Sequence, residues 1–218
     1  MSKKTIYDAL IAAGLTREGA CGLMGNMRAE SVMRSTNAQD SYGKDDATYT
    51  AQTDNGMTNF AGDGIGYGLC QWTAASRKAK LLAYAKQQGV SVGDEDMQVR
   101  FCLLEMMHDF PDVWAFLTVS HDLLQCAQLV CTDYERPAHN NVGTRYEYAQ
   151  EFFAELAEGK APAEEPAADA CPIFPPDPSV LVIEMVMAYN GYWGKPDGYK
   201  TPEFFKALRQ FTDDMEAC

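Results

Sequence analysis

Histidine is scarce: only His108, His121 and His139 occur, and their spacing matches no metal-ligand pattern. No Cys-x-x-Cys pair is present either, so neither a zinc centre nor any other cofactor is expected. Cations are outnumbered, with 18 Lys and Arg against 31 Asp and Glu, for a net charge of −13. A nucleic-acid backbone or an anionic membrane surface is gripped by clustered Lys and Arg, and that balance argues against both. Long apolar runs are missing too: none reaches the roughly 18 residues that would suggest a membrane span, so membrane insertion is not expected. "MSKKTIYDALIAAGL" begins like a secretion signal, but Asp8 interrupts its apolar part and Ile6, Leu10 and Ala13 repeat at helical spacing. A short amphipathic helix ended by Gly14 is predicted, and synthesis in a cytoplasm without a signal peptide. The cysteines at 21, 70, 102, 126, 131, 171 and 218 are odd in number and form no tight framework, so reduced thiols are expected.

What is present is enough for one domain with a real core: 218 residues, 46% of them apolar. Residues 1–159 read mainly as helices around one polar insert. Thr16 is placed to cap a helix from Arg17 to Glu30, and Thr73 one that runs to Gln88 and closes at Gly89. Asp94 opens a helix with Met97, Phe101, Leu104 and His108 on one face. Pro111 heads the short "PDVWAFLT", Ser120 starts a helix that must end before Pro137, and the last runs from about Asn141 to Glu158. Within the insert (35–68) helical periodicity vanishes. The alternation of "ATYTAQT" and the turn signal at Asp54-Asn55-Gly56 predict a small β-hairpin or an ordered loop excursion. The glycines of "GDGIGYG" suit a backbone passing close to a ligand at positive φ; they do not form a phosphate cradle. Residues 160–179 hold six prolines and four acids and read as a linker. Residues 180–218 read as a small helical hairpin, a docking or wall-binding element, with Tyr189, Tyr192, Trp193 and Tyr199 either covering its own core or stacking on sugars.

One side chain breaks the pattern. Ala20, Leu23, Met24 and Met27 form the apolar stripe of the second helix, and Glu30, seven residues after Leu23, continues it. A carboxyl held against apolar neighbours at a helix C-terminus is expected to keep its proton, the requirement for a general acid acting on a glycosidic oxygen. The bland alternative is a terminal glutamate that bends to water or pairs with Arg34.

"GACGLMGNMRAES" (19–31), "GYGLCQWT" (66–73) and "YERP" (134–137), in that order, resemble the phage tail lysozyme family of peptidoglycan hydrolases, within the wider lysozyme and soluble lytic transglycosylase superfamily. The resemblance spans roughly residues 5–158. It implies a mainly α, two-lobed lysozyme-like domain in which a helical lobe and a small β-hairpin or loop lobe flank a glycan cleft. It implies cleavage of the β-1,4 bond between N-acetylmuramic acid and N-acetylglucosamine, with bacterial peptidoglycan strands, and other phage tail proteins, as partners. Action would be at the cell wall, as an endolysin after lysis or as a virion component. By the resemblance Glu30 is the catalytic acid, Ser31 braces it, and Gln71 sits in the sugar cleft beside Gly68. Trp72 and Tyr134 either offer faces to saccharide rings or pack in the core. Glu135 is a cleft residue, or pairs with Arg136 or Arg145.

Hydrolysis needs a second carboxylate, and the insert offers Asp40, Asp45, Asp46, Asp54 and Asp63. Asp40 is first choice, ten residues after Glu30 and entering the hairpin. Without such a partner, a lytic transglycosylase would use Glu30 as acid and then as base. Two rivals remain. One is a Cys70 peptidase with a histidine base; the other is a non-catalytic tail or glycan-binding protein, which would not need Glu30.

Overall fold

A computed structural model describes residues 3–39, 46–139 and 141–157. The described residues are mainly helical and contain no β-strand, only isolated antiparallel bridges joining Ala38 to Tyr67 and Tyr67 to Trp72. The predicted linker and C-terminal hairpin lie outside them. No described helix is long and apolar enough to cross a membrane.

Helix α1 (Lys3–Ala12) buries Ile6, Tyr7 and Leu10, and Gly14 at φ 98° turns the chain out of it. In α2 (Arg17–Ser31) the Thr16 hydroxyl accepts the Gly19 N–H at 2.9 Å, as predicted. The same hydroxyl donates to the Ser120 carbonyl at 2.7 Å, which ties the start of α2 to a distant loop. The predicted stripe is buried, but α2 has no fully wet face: Arg17, Glu18 and Arg28 are only partly exposed. Glycine at every third position explains this. Gly19 faces the Leu117 carbonyl, Gly22 faces Cys126, and Gly25 faces Arg145 and Ala149, so three elements press directly on the α2 backbone. A methyl added to Gly25 would come within 2.5 Å of the Arg145 carbonyl oxygen. Gly25→Ala is therefore expected to destabilise the fold by about 1–3 kcal/mol despite its better helix propensity, a loss that thermal melting would read.

The alternating "ATYTAQT" is not a strand. Asp46–Asp54 is a helix, α3, and Tyr49 and Thr53 lie four apart on its buried side. Thr50 and Thr53 donate back to the Asp46 and Tyr49 carbonyls at 2.8 and 3.0 Å, which disposes of hydroxyls that otherwise favour strands or turns. The insert is fastened by Lys78 of α4 (Ala75–Gln88), a fully buried lysine whose Nζ donates to Asp63 at 2.5 Å and to the Ile65 carbonyl at 2.7 Å. Burial pushes the Asp63 pKa up, but the hydrogen bonds from Lys78 and Tyr49 outweigh it and hold the carboxyl below its ordinary value. Helix α4 starts without a side-chain cap, because the Thr73 hydroxyl donates to the Gln71 carbonyl instead; Gly89, at φ 67°, closes it as predicted.

Asp94 caps α5 (Glu95–Asp109), accepting the Met97 N–H at 2.8 Å. This helix is buried on several sides, not on one stripe: Val99, Cys102 and Glu105 are inside with Met97 and Phe101, while His108 is exposed. Helix α6 (Pro111–Val119) begins on its proline. Asp122, rather than Ser120, caps α7 (Leu123–Leu129), which widens into a π-helical segment, Val130–Glu135. Arg136 at φ 52° ends it, just before Pro137. Helix α8 (Val142–Phe152) packs along α2 and is followed by a second π segment, Phe153–Ala157.

Candidate active site

Glu30 ends on α2 with a charged neighbour rather than the apolar jacket its place in the stripe suggested. Arg145 of α8 donates from Nη2 to Glu30 Oε1 at 2.5 Å. The guanidinium is itself fixed: Nη1 donates to Asn26 Oδ1 at 2.9 Å and Nε to Asn141 Oδ1 at 2.8 Å. Asn26 is held in turn, its Nδ2 donating to the Gly22 and Ala127 carbonyls at 2.9 and 3.0 Å. Arg145 is buried, whereas the Glu30 side chain keeps 17% of its surface open, so this ion pair has an inner cation and an outer anion. Arg34, the bland alternative partner, pairs with Asp46 at 3.0 Å.

Glu135 closes the π segment, which packs against α2, and its charge and that of Glu30 act on each other. The residue as a whole is half-buried, but its Oε1 is closed off from solvent and has no hydrogen-bond partner among the described residues. Burial, then repulsion from Glu30, pushes its pKa well above the ordinary carboxylate range, against the pull of Arg77 and Arg145. Neither arginine makes the expected pair with it: Arg136 Nε donates to the Asp133 carbonyl at 2.8 Å, and Arg145 goes to Glu30.

What holds Glu135 in place is a residue the sequence did not single out. Glu105 has no exposed side-chain surface and gathers four hydrogen bonds. Arg77 forks onto it at 2.7 and 2.8 Å, Trp72 Nε1 donates at 2.9 Å, and the Tyr134 hydroxyl donates at 2.8 Å. The hub therefore anchors the residue next to Glu135. The available signal was a lone acid inside the apolar run "FCLLEMM".

Loop 66–72 meets this end of α2 through Ser31, whose hydroxyl is shared between the Met27 carbonyl at 2.9 Å and the Leu69 carbonyl at 3.0 Å. Ser31 thus ties the loop down; it does not hydrogen-bond the Glu30 carboxyl. Gly68, at φ 78°, lies so close to Gln98 that a Cβ would meet its Oε1 at 2.5 Å. Gln98 accepts the Leu69 N–H and donates to the Ser35 and Val92 carbonyls, holding three segments together. Gln71 is left-handed (φ 43°), and its amide donates to the Asn37 and Gly68 carbonyls at 3.0 and 3.1 Å. Of the four glycines in "GDGIGYG", only Gly64 and Gly68 take positive φ.

Residues 2–156 match the phage tail lysozyme family. This chain belongs to it. One similar protein, Morphogenesis protein 1 of Bacillus phage B103, is 28% identical over 160 residues, which cover 69% of this chain and 38% of that protein. The chain thus spans well under half the length of that relative.

For a member of this family, two predicted sugar platforms fall elsewhere. Trp72 and Tyr134 take the core fate: Trp72 is fully buried with its ring edge-on to Phe101, and Tyr134 is buried edge-on to Phe110, so neither offers a face to a saccharide. Asp40 and Asp45 lie outside the described residues. The other acids of the insert have structural partners: Asp46 with Arg34, Asp54 with Ser91 and the Val92 N–H, Asp63 with Lys78. The cysteine rival loses its chemistry. Cys70 is buried against Cys102, sulfurs 3.7 Å apart, and burial raises its thiol far from the thiolate, while His108, His121 and His139 are all exposed. The described cysteines, Cys21, Cys70, Cys102, Cys126 and Cys131, are free thiols.

Proposed function

We propose that this lysozyme-family chain cleaves bacterial peptidoglycan at the β-1,4 bond between N-acetylmuramic acid and N-acetylglucosamine, with Glu30 delivering the proton to the leaving oxygen. The observation that carries the reading is Glu30 at the end of α2, a part-open carboxyl held in place by a hydrogen bond from the buried Arg145. Acid catalysis of glycoside cleavage needs a carboxyl open to the leaving oxygen, while negative charge nearby steadies the oxocarbenium-like sugar. Gly68 and Gln71 belong to the loop that Ser31 ties to the end of α2 through Leu69, and they are the proposed residues of the sugar cleft. Asp40 is the proposed base or nucleophile.

A second reading, lytic transglycosylation, is favoured by the structural bonds that occupy Asp46, Asp54 and Asp63. It needs one carboxyl, first as acid and then as base. The phage relative named for morphogenesis supports work as a virion component beside other tail proteins. Digestion of purified peptidoglycan followed by mass spectrometry tests the reading. A reducing-end muramic acid marks the hydrolase and an anhydro sugar the transglycosylase. Released peptide with intact glycan, lost in Cys70→Ser, would overturn both. No product from the wild type would leave a binding protein.

A further inference from the structure

Arg77 and Arg145 grip their carboxylates in opposite ways. Arg77 forks onto Glu105, with Nε on Oε1 at 2.7 Å and Nη2 on Oε2 at 2.8 Å, so both oxygens are taken. Arg145 reaches Glu30 through Nη2 alone, on Oε1 at 2.5 Å. The Oε2 of Glu30 accepts no hydrogen bond among the described residues. Arginine frequently binds a carboxylate with two parallel N–H groups, as Arg77 does. At Arg145 those groups are engaged elsewhere: Nη1 donates to Asn26 Oδ1 at 2.9 Å and Nε to Asn141 Oδ1 at 2.8 Å. Asn26 is fully buried, and the Gly22 and Ala127 carbonyls hold its Nδ2, which turns its oxygen toward the guanidinium. Gly25 lets the backbone of α8 press on α2 at Arg145 itself. The guanidinium is therefore held from three sides, with one N–H left for the carboxyl.

We propose that Arg145, aimed by Asn26 and Asn141, is a positioning residue that occupies Oε1 of Glu30 and so leaves Oε2 as the oxygen that hands the proton to the substrate. The inference rests on the glycosidase reading above. It adds which oxygen acts and which residue receives the charge that remains. In the step, the Oε2–H bond breaks and its proton goes to the glycosidic oxygen. The C1–O bond breaks with its electron pair moving to that oxygen. The electrons of the Oε2–H bond stay on Glu30 and spread onto Oε1, where the Arg145 N–H already points. A water, or the sugar's own hydroxyl in transglycosylation, then completes C1 and releases a proton, whose uptake restores Glu30. A hydrogen bond between two charged groups is stronger than one to a neutral acceptor. The Arg145 bond thus tightens as the proton leaves, which favours the transition state over the ground state. Glu105, with both oxygens occupied, is built for packing and has none left to act.

The test measures kcat and KM on peptide-free peptidoglycan strands, beside thermal melting, for the full chain as wild type, Arg145→Met, Arg145→Lys and Asn141→Ala. Methionine removes the N–H groups; lysine keeps a cation and a donor but not the planar fork. Arg145→Met is expected to lose about 30-fold in kcat with KM changed by less than about twofold, and Arg145→Lys to recover part of that loss. Asn141 is exposed, so Asn141→Ala is expected to melt within a few degrees of wild type and still lose about fivefold in kcat. A pair that merely ties α8 to α2 would lower the melting temperature and leave kcat per folded molecule at the wild-type value. That result overturns the proposal. So would a crystal structure of the wild type in which the guanidinium spans both oxygens of Glu30, a result open even if the Arg145 variants fail to fold. A wild type that cleaves no glycan sinks the functional reading and the proposal with it, whereas an active wild type with an equally active Arg145→Met sinks the proposal alone.

Discussion

Glu30→Gln is expected to lower glycan cleavage by roughly 10²–10⁴-fold while leaving a folded protein, the range that loss of a general acid or base produces. The amide keeps an oxygen for Arg145 Nη2, so the hydrogen bond at the end of α2 survives. It has no proton to give and no charge to set against the buried guanidinium. Because Arg145 still bonds Asn26 and Asn141, its side chain has no reason to leave. Stripping the counter-charge from a buried arginine costs up to about 3 kcal/mol, so rates should be compared well below the melting transition. A Glu30→Gln variant with near wild-type turnover would remove Glu30 from the chemistry.

The largest stability effect is expected at Glu105. Glu105→Ala leaves the Arg77 fork, the Trp72 indole N–H and the Tyr134 hydroxyl facing each other with no acceptor. Removing one side of a buried charge pair costs about 3–5 kcal/mol, or roughly 10 °C in melting temperature for a chain of this size. Glu105→Gln is no rescue, because its amide NH2 turns two donors toward groups that are already donors. Activity is expected to fall further than the loss of folded protein explains, since Tyr134, and with it Glu135, loses its anchor. A shift of less than 1 kcal/mol, read by thermal or denaturant unfolding, would show that the hub is not holding this part of the fold.

Local chemistry was legible in the sequence and long-range pairing was not. The caps at Thr16, Asp94 and Gly89 are written within three residues of where they act, and the structure has them. The stripe that leads to Glu30 is equally local. Its partner Arg145 stands 115 positions away, and nothing in the spacing of either residue announces the other. "ATYTAQT" failed for a related reason: threonine and tyrosine suit strands by propensity, yet the burial of Tyr49 and Thr53 and the back-bonded hydroxyls settle the segment as helix. Trp72 lies beside Gln71 in a motif that, by the resemblance to the family, was expected at the sugar cleft. Its indole N–H nonetheless turns inward, because a buried carboxylate 33 residues on accepts it. The expected β-hairpin lobe is reduced, among the described residues, to bridges on either side of Tyr67.

The central claim is that this chain cuts glycan, through Glu30. Peptide-free peptidoglycan strands, incubated with wild type and with Glu30→Gln and then sized by chromatography, test it most directly. Strands shortened by the wild type and left whole by the variant are the predicted result. Strands untouched by either protein, or shortened equally by both, would contradict it.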